Sequence, residues 1–380
     1  MNPIPILFID HATAMGGAEN SLKLLLEHLD SKHWELHLAC PDGALSEAVG
    51  GLNVPVHKLP LPPLRRSPRA PVNWGYGIRT LARIAREIKA RAIISNTIRS
   101  TVFAGPAAKL SQTGFVWTMR DFWLGESEPQ RLWFDKLGKQ ALCRMANAVI
   151  ANSTATAQHL PCQSKTTVIH NGIAADHFKP SLNRQDSRAP FKLPDDAFVI
   201  GVVGRLRPWK GQDRFLRVLK YVVDAHPSAF GIIVGGTPFG PNSPYTAQLQ
   251  QIVRENNLQD RVIFTGQLDD IRPALAAMDV FVHPGEPEPF GLVNIEAMAM
   301  AKPVVAFAHG ALPEIVIDGE TGMLVPPVDE RAMAQAISTL LRDPLQRSVM
   351  GAAGRRRVED AFTIERTARA FDEVLTAVCN

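Results

Sequence analysis

The sequence is short of the features that mark several large protein classes. Cysteine occurs four times, at Cys40, Cys143, Cys162 and Cys379, with no CxxC pair. Neither a disulfide framework nor a zinc ribbon is spelled out, and a reduced, cytoplasmic compartment is the expectation. Eleven scattered histidines add no metal-ligand spacing. No apolar run approaches the ~18 residues that cross a bilayer. The run Ile4–Ile9 has no basic residue before it and stops at Asp10, so it is too short for the core of a signal peptide and reads as a first buried strand. A net charge of +4 is too small to imply nucleic acid. The dinucleotide signature GxGxxG is absent. Glycine and proline stand as scattered punctuation, which excludes a low-complexity linker.

What is present is ordinary globular composition, 46% apolar and 21% charged, on 380 residues. That length favours two domains. Strand-like runs are Ile4–Ile9, Glu35–Cys40, Ala92–Ser95, Phe115–Thr118, Ala148–Ala151 and Thr167–Ile169, with helical patterns at Ala18–Leu29, Ile78–Lys89 and Leu132–Met145 between them. The second half repeats the scheme at Phe198–Val203, Gly231–Val234, Val262–Thr265, Val280–His283 and Val304–Phe307. Strands alternating with helices call for α/β architecture with doubly wound parallel sheets. The polar stretch Pro180–Pro194 has linker composition and separates residues 1–180 from residues 190–360. Charge also differs along the chain: residues 1–170 hold 19 Lys and Arg against 12 Asp and Glu, the remainder 22 against 25.

Three stretches carry chemistry. Gly204-Arg205-Leu206, with Lys210-Gly211 shortly after, follows a core strand and opens a helix. A guanidinium and an ammonium beside a helix N-terminus suit a diphosphate; solvated loop cations are the bland alternative. Glu288-Pro289-Phe290-Gly291-Leu292-Val293-Asn294-Ile295-Glu296 holds two carboxylates eight apart. Gly291 is expected to begin a helix with free N–H groups, Glu288 to lie on the loop within reach of a sugar, and Glu296 to accept hydroxyls of a ribose. A solvated face is a poor reading for Glu296 among Leu292, Val293, Ile295, Ala297 and Met298, because an unpaired buried carboxylate is costly. Met15-Gly16-Gly17-Ala18-Glu19 allows close backbone approach to a ligand, and reads equally as a tight turn. The pair Asp269-Asp270 is read as a helix cap near Ile271 rather than a metal site. Last, Leu64-Arg65-Arg66-Ser67-Pro68-Arg69 precedes a helix whose apolar face is Ile78, Leu81, Ile84, Ala85 and Ile88 and whose other side carries Arg79, Arg83, Arg86 and Lys89. A solvated surface is the plain reading; peripheral contact with anionic lipid is the sharper one.

These words, together with Ala151-Asn152-Ser153, Asn171-Gly172-Ile173, Phe264-Thr265-Gly266, Pro303-Val304-Val305 and Gly322-Met323-Leu324-Val325-Pro326, run in the order found in glycosyltransferase family 4, which the chain resembles over nearly its whole length. The resemblance implies a GT-B fold: two Rossmann-like domains facing each other across a cleft, the first on the acceptor side and the second on the donor side, with residues 361–380 forming a helix that packs back on the first. It implies a retaining transfer from a nucleotide-diphosphate sugar to a glycan, glycolipid or lipid-linked acceptor, without a cofactor or metal. Arg205, Lys210 and Glu288 match the catalytic positions. Donor binding falls to these three with Gly16, Gly17, Phe290, Gly291, Leu292 and Glu296. Another GT-B nucleotide-sugar enzyme, such as an epimerase, or a non-catalytic nucleotide-sugar binder is the alternative. One departure stands out. Arg120, in Trp117-Thr118-Met119-Arg120-Asp121, occupies a place where many members carry His. Arg120, Asp121 and His11 are the acceptor-side candidates, with an anion site, a plain salt bridge to Asp121 and, for His11, a core or capping role all open.

Overall fold

The computed structural model describes residues 2–61, 69–122, 132–180, 183–237 and 243–380, with the backbone alone for residues 132–135. Residues 64–68 of the basic stretch before the helix lie outside them. The chain divides into two compact units, one of Met1–Ile173 with Ile364–Asn380, the other of Ala174–Thr363.

The first unit holds strands β1 (Ile4–Ile9), β2 (Trp34–Cys40), β3 (Val56–Lys58), β4 (Ala92–Ser95), β5 (Gly114–Met119), β6 (Ala148–Ala151) and β7 (Thr166–Val168) in the order β3-β2-β1-β4-β5-β6-β7. Every pairing is parallel. The second unit holds β8 (Phe198–Val203), β9 (Ala229–Val234), β10 (Val262–Gly266), β11 (Val280–His283), β12 (Val304–Phe307) and β13 (Gly322–Val325) in the order β10-β9-β8-β11-β12-β13, again all parallel. Parallel strands are covered on both faces, so they read as unbroken apolar runs. Ala92–Ser95 and Val304–Phe307 are buried at every residue. The covering helices supply apolar stripes at helical spacing. In helix Gln212–Ala225 the buried residues include Phe215, Leu216, Val218, Leu219 and Val222. In each sheet the order reverses once, between β1 and β4 and between β8 and β11. At such a reversal the neighbouring crossovers depart to opposite faces and leave a crevice beyond the strand ends.

The helix Ile364–Cys379 belongs to the first unit. Ala368, Phe371 and Leu375 join a core with Ile6, Phe8 and Leu22. Trp34 Nε1 donates to Asp372 Oδ1 at 2.6 Å, and Arg91 Nη2 to the Cys379 carbonyl at 2.6 Å. The helix Ala70–Glu87 starts eight residues before the expected Ile78. Its Gly77 permits this: a Cβ there would stand 2.7 Å from the Phe103 ring.

Two expectations need correction. The stretch Pro180–Pro194 is no bare linker: it contains helix Arg184–Arg188 and a 3₁₀ turn Ala189–Phe191, both within the second unit. Arg188 is fully buried and explains why. Its guanidinium donates to the carbonyls of Pro194, Asp195, Ala197 and Ala277 and to Asp279 Oδ2, clamping this polar stretch to the body of the unit. Second, the cysteines are not all free thiols: Cys143, on helix Leu132–Met145, is joined to Cys162 in a disulfide, while Cys40 and Cys379 are free and buried. A separation of 19 residues places both on elements flanking β6, which residue spacing alone does not reveal.

Removing one partner of a buried, hydrogen-bonded charge pair strands the other. Arg188→Ala is therefore expected to cost about 3–5 kcal/mol of stability. Arg184, which meets the same Asp279 from a half-exposed position, is expected to cost under about 1 kcal/mol as Arg184→Ala. Urea unfolding of the two variants checks the contrast, and equal losses contradict it.

Candidate functional site

The expected donor residues of the second half all fall at the β8/β11 reversal. β8 ends at Val203, and the chain turns through Gly204 and a 3₁₀ turn at Pro208–Lys210 into helix Gln212–Ala225. Gly211 caps that helix at φ +73°, and a Cβ there would collide with the Pro284 carbonyl of the loop after β11. Only glycine meets both demands. The two loops are further tied by Glu286 N donating to the Trp209 carbonyl at 2.7 Å. Arg205 is exposed, and its side chain has no partner among the described residues.

Lys210 is differently placed. Its ammonium pairs with the Glu288 carboxylate and lies 4.3 Å from the centre of the Trp209 ring. Glu288 is buried at 6% exposure. Burial works against its charge, but the charge and hydrogen bond of Lys210 outweigh it and hold the carboxyl below its usual range. The expected open-loop position of Glu288 is thus a buried ion pair. Gly291, at φ +89°, caps helix Leu292–Ala299 as expected, and a Cβ there would stand 2.5 Å from Asn294 Nδ2. Phe290 is buried with its ring edge-on to Phe362 at 6.0 Å, and Leu292 begins the helix. Glu296 sits on that helix with no partner among the described residues, and burial pushes its carboxyl up to about 7.

The fold adds residues that the sequence reading missed. Gln212, fully buried, donates through Nε2 to the carbonyls of Gly204 (3.2 Å) and Arg205 (3.1 Å), fixing the loop that presents Arg205. Tyr245 Oη, set between Gln212 and Asp213, braces that contact. His283 ends β11 beside Glu288, its Nε2 3.9 Å from Glu288 Oε1, and burial pushes its pKa down to about 4, so the ring is neutral. Asn294 Nδ2 reaches His283 Nδ1 at 3.4 Å. The signal for His283 was available: a lone imidazole closes an apolar strand at the sheet's reversal. Gln212 and Tyr245 carried no such signal. Asp270 Oδ1 accepts from Arg272 N at 2.9 Å at the start of helix Arg272–Ala277, and its side chain pairs with the Arg272 guanidinium.

In the first unit a second polar cluster lies at the β1/β4 reversal. Gly16 is the extended residue before helix Gly17–His28, with Gly17 exposed at its first turn. Asp10, fully buried, accepts from Ala12 N (2.8 Å) and Asn96 Nδ2 (2.6 Å). His11 Nδ1 meets Thr97 Oγ1 at 2.6 Å, and burial, with Arg99, holds the ring's pKa down despite Asp10. Arg120 donates to Asn96 Oδ1 at 2.8 Å and Asn171 Oδ1 at 2.5 Å instead of to its neighbour Asp121. Asp121 is exposed, and its Oδ1 accepts from Phe122 N at 2.8 Å.

A model of the family described as Glycosyl transferases group 1 matches residues 183–357, and one described as Glycosyltransferase Family 4 matches residues 15–177. The chain is 34% identical over 235 residues to the lipopolysaccharide core biosynthesis mannosyltransferase LpsB of Rhizobium meliloti, a match covering 61% of this chain and 66% of that protein. It is 34% identical over 256 residues to a D-inositol 3-phosphate glycosyltransferase of Kineococcus radiotolerans, covering 63% and 59%. The chain thus spans less than two thirds of the length of either relative. Its fold is similar to that of Anabaena Alr3699/HepE in complex with UDP and glucose, with a TM-score of 0.86 and 27% identity over 98% of this chain and 99% of that one. Sucrose-phosphate synthase from Thermosynechococcus elongatus gives 0.80 and 26%, over 99% of each.

Glu296 makes a measurable signature. Its carboxyl titrates near 7 in the folded chain and at about 4.3 unfolded. Between those values the folded chain holds a proton that the unfolded chain has lost, so this residue's contribution to stability falls as pH rises. Glu296→Gln removes that component. The melting temperature of the variant is expected to gain on the wild type steadily from pH 5 to pH 8, and a pH-independent difference contradicts the placement.

Proposed function

The chain belongs to glycosyltransferase family 4, of GT-B fold, and from that premise we propose that it moves a sugar from a nucleotide-diphosphate donor to an acceptor hydroxyl. The observation that carries this is the convergence of Arg205, Lys210, Glu288 and Glu296 on one sheet reversal in the second unit. Arg205 and Lys210 bind the diphosphate and stabilise its charge as it leaves. Glu288 accepts donor-sugar hydroxyls and holds Lys210 in place; Glu296 accepts the ribose hydroxyls, whose donors supply what its unpaired carboxylate lacks. The N–H groups at Gly291 and Leu292 add helix-terminal donors. UDP, bound by the Anabaena neighbour, is the first nucleotide to test. The reaction needs no resident metal or cofactor in this reading, since the two cations supply the charge. Retention of anomeric configuration is the family expectation, and without an enzyme nucleophile it takes a front-face course: the acceptor oxygen bonds to the anomeric carbon as the bond to the diphosphate breaks, and the departing phosphate oxygen takes the acceptor hydroxyl's proton. The acceptor is a glycan, glycolipid or lipid-linked precursor, in keeping with the name of the lipopolysaccharide core mannosyltransferase relative.

Arg205→Ala and Lys210→Ala are each expected to lower kcat by about 10²–10³ while the fold persists, because each removes one charge that acts on the leaving group. Steady-state assays at saturating donor measure this. Near-wild-type turnover in either variant contradicts the assignment.

We infer that the first unit meets the surface of an anionic membrane. No helix of the described residues is long and apolar enough to cross a membrane. Helix Ala70–Glu87 instead exposes Val72 and Tyr76 near its start and Arg79, Arg83 and Arg86 along one side. Changing these three arginines to Gln is expected to weaken binding to anionic vesicles by up to a hundredfold at low salt, at about 1 kcal/mol per charge. Binding to neutral vesicles stays constant. A wild-type chain that ignores anionic vesicles at low salt overturns the membrane reading.

A further inference from the structure

Arg188, fully buried, and Arg120, partly buried, are used in opposite ways. Arg188 spends its donors on four carbonyls and the Asp279 carboxylate, as a structural arginine does. Arg120 engages only its Nε and one Nη1 hydrogen, both on neutral side-chain amides. Its Nη2 has no partner among the described residues.

The amides are themselves fixed. Asn96, 2% exposed, donates through Nδ2 to Asp10 Oδ2 at 2.6 Å and to the Ala18 carbonyl at 3.2 Å, so its Oδ1 is the end turned to Arg120. Asn171, 6% exposed, follows β7. Three strand ends therefore hold one guanidinium at the carboxyl side of the sheet, next to the β1/β4 reversal. Neutral amides orient the charge without cancelling it. Asp10 and Glu19 act on it through space, while burial pulls its pKa down to about 10, still charged at any working pH. Asp10 has both oxygens committed elsewhere. The Nη2 hydrogens and the remaining Nη1 hydrogen form an open fork, the geometry that grips a carboxylate or phosphate with two parallel bonds. At the end of β1, His11 Nδ1 meets Thr97 Oγ1 at 2.6 Å, and burial with Arg99 lowers its pKa despite Asp10.

We propose that Arg120 is the specificity-determining residue of a substrate site in the first unit and binds an anionic group, carboxylate or phosphate, carried by the acceptor. Its assignment to the acceptor rests on the glycosyl-transfer reading; the anion site itself does not. Calorimetry on the full chain separates the two. UDP is titrated first, and its binding tests the donor reading alone. With UDP kept saturating, glucuronate and glycerol phosphate are compared with their neutral counterparts glucose and glycerol, one pair for each source of the anion. At least one anionic probe is expected to bind the wild type tenfold or more tightly than its neutral partner. Arg120→Gln is expected to erase that preference and Arg120→Lys to keep part of it, a point charge without the fork, with UDP affinity unmoved in both. The pair that shows the preference identifies the anion. A wild type without charge preference in either pair overturns the proposal, as does a preference that survives intact in Arg120→Gln. Should Arg120→Gln melt far below the wild type, Arg120→Lys decides: an undiminished preference there removes the requirement for the fork.

Discussion

All-parallel sheets impose the constraint on which both units depend. Such a sheet buries both faces, so each crossover carries a helix, and the crossovers change sides where the strand order reverses. In this chain the reversals fall between β1 and β4 and between β8 and β11. The strands cannot themselves hold polar ligands, because their side chains are committed to the core. Chemistry is displaced to the residues just beyond the carboxyl ends: Asp10, Asn96 and Arg120 in one unit, Arg205, Lys210 and Glu288 in the other. The two clusters are products of the same geometry applied twice.

They differ in how charge is balanced. In the second unit Lys210 offsets the burial of Glu288 and holds its carboxyl below the usual range, while Glu296 has no counter-charge among the described residues and burial pushes its carboxyl up to about 7. A diphosphate arriving there meets an exposed Arg205 and a lysine already held by a carboxylate. The same carboxylate that keeps Lys210 in place thus moderates its pull on the donor. In the first unit orientation and neutralisation are separated: two amides aim Arg120, and the carboxylates act from further away.

Much of this was legible in the sequence because buried parallel strands are apolar throughout. Phe198–Val203 and Val280–His283 were readable to the residue. The cations and carboxylates of the second unit were readable from their positions after those strands. What escaped was whatever depends on tertiary partners. Composition made Pro180–Pro194 a linker, since nothing local says that Arg188 is buried among carbonyls from residues 194 to 277. Cys143 and Cys162 meet only because of the way the chain runs on either side of β6. The apolar pattern places the helix start at Ile78; the helix begins at Ala70 and runs through Gly75 and Gly77, where packing of Gly77 on Phe103 outweighs poor propensity. Arg120 was visible as an arginine, but its amide partners come from 24 and 51 residues away.

The position of Arg120 also draws on the end of the chain. Asn171 lies two residues before Ile173, where the first unit is left, and Ile364, where it is re-entered, donates its N–H to the Ile173 carbonyl at 3.0 Å. Thr367 Oγ1 donates to the His170 carbonyl at 2.9 Å, on the other side of Asn171. The residue that fixes Arg120 Nη1 is therefore bracketed by two hydrogen bonds from the opening turn of helix Ile364–Cys379. That helix is in turn seated by Phe371 and Leu375 in the core and by Trp34 on Asp372. A guanidinium at the end of β5 is thus set by residues at three strand ends and by a helix that follows β5 in the sequence by more than 200 residues. Backbone that far apart holds a side chain to a fraction of an ångström only when the whole unit is packed, which places the demand for precision at this cluster on the fold rather than on any one loop.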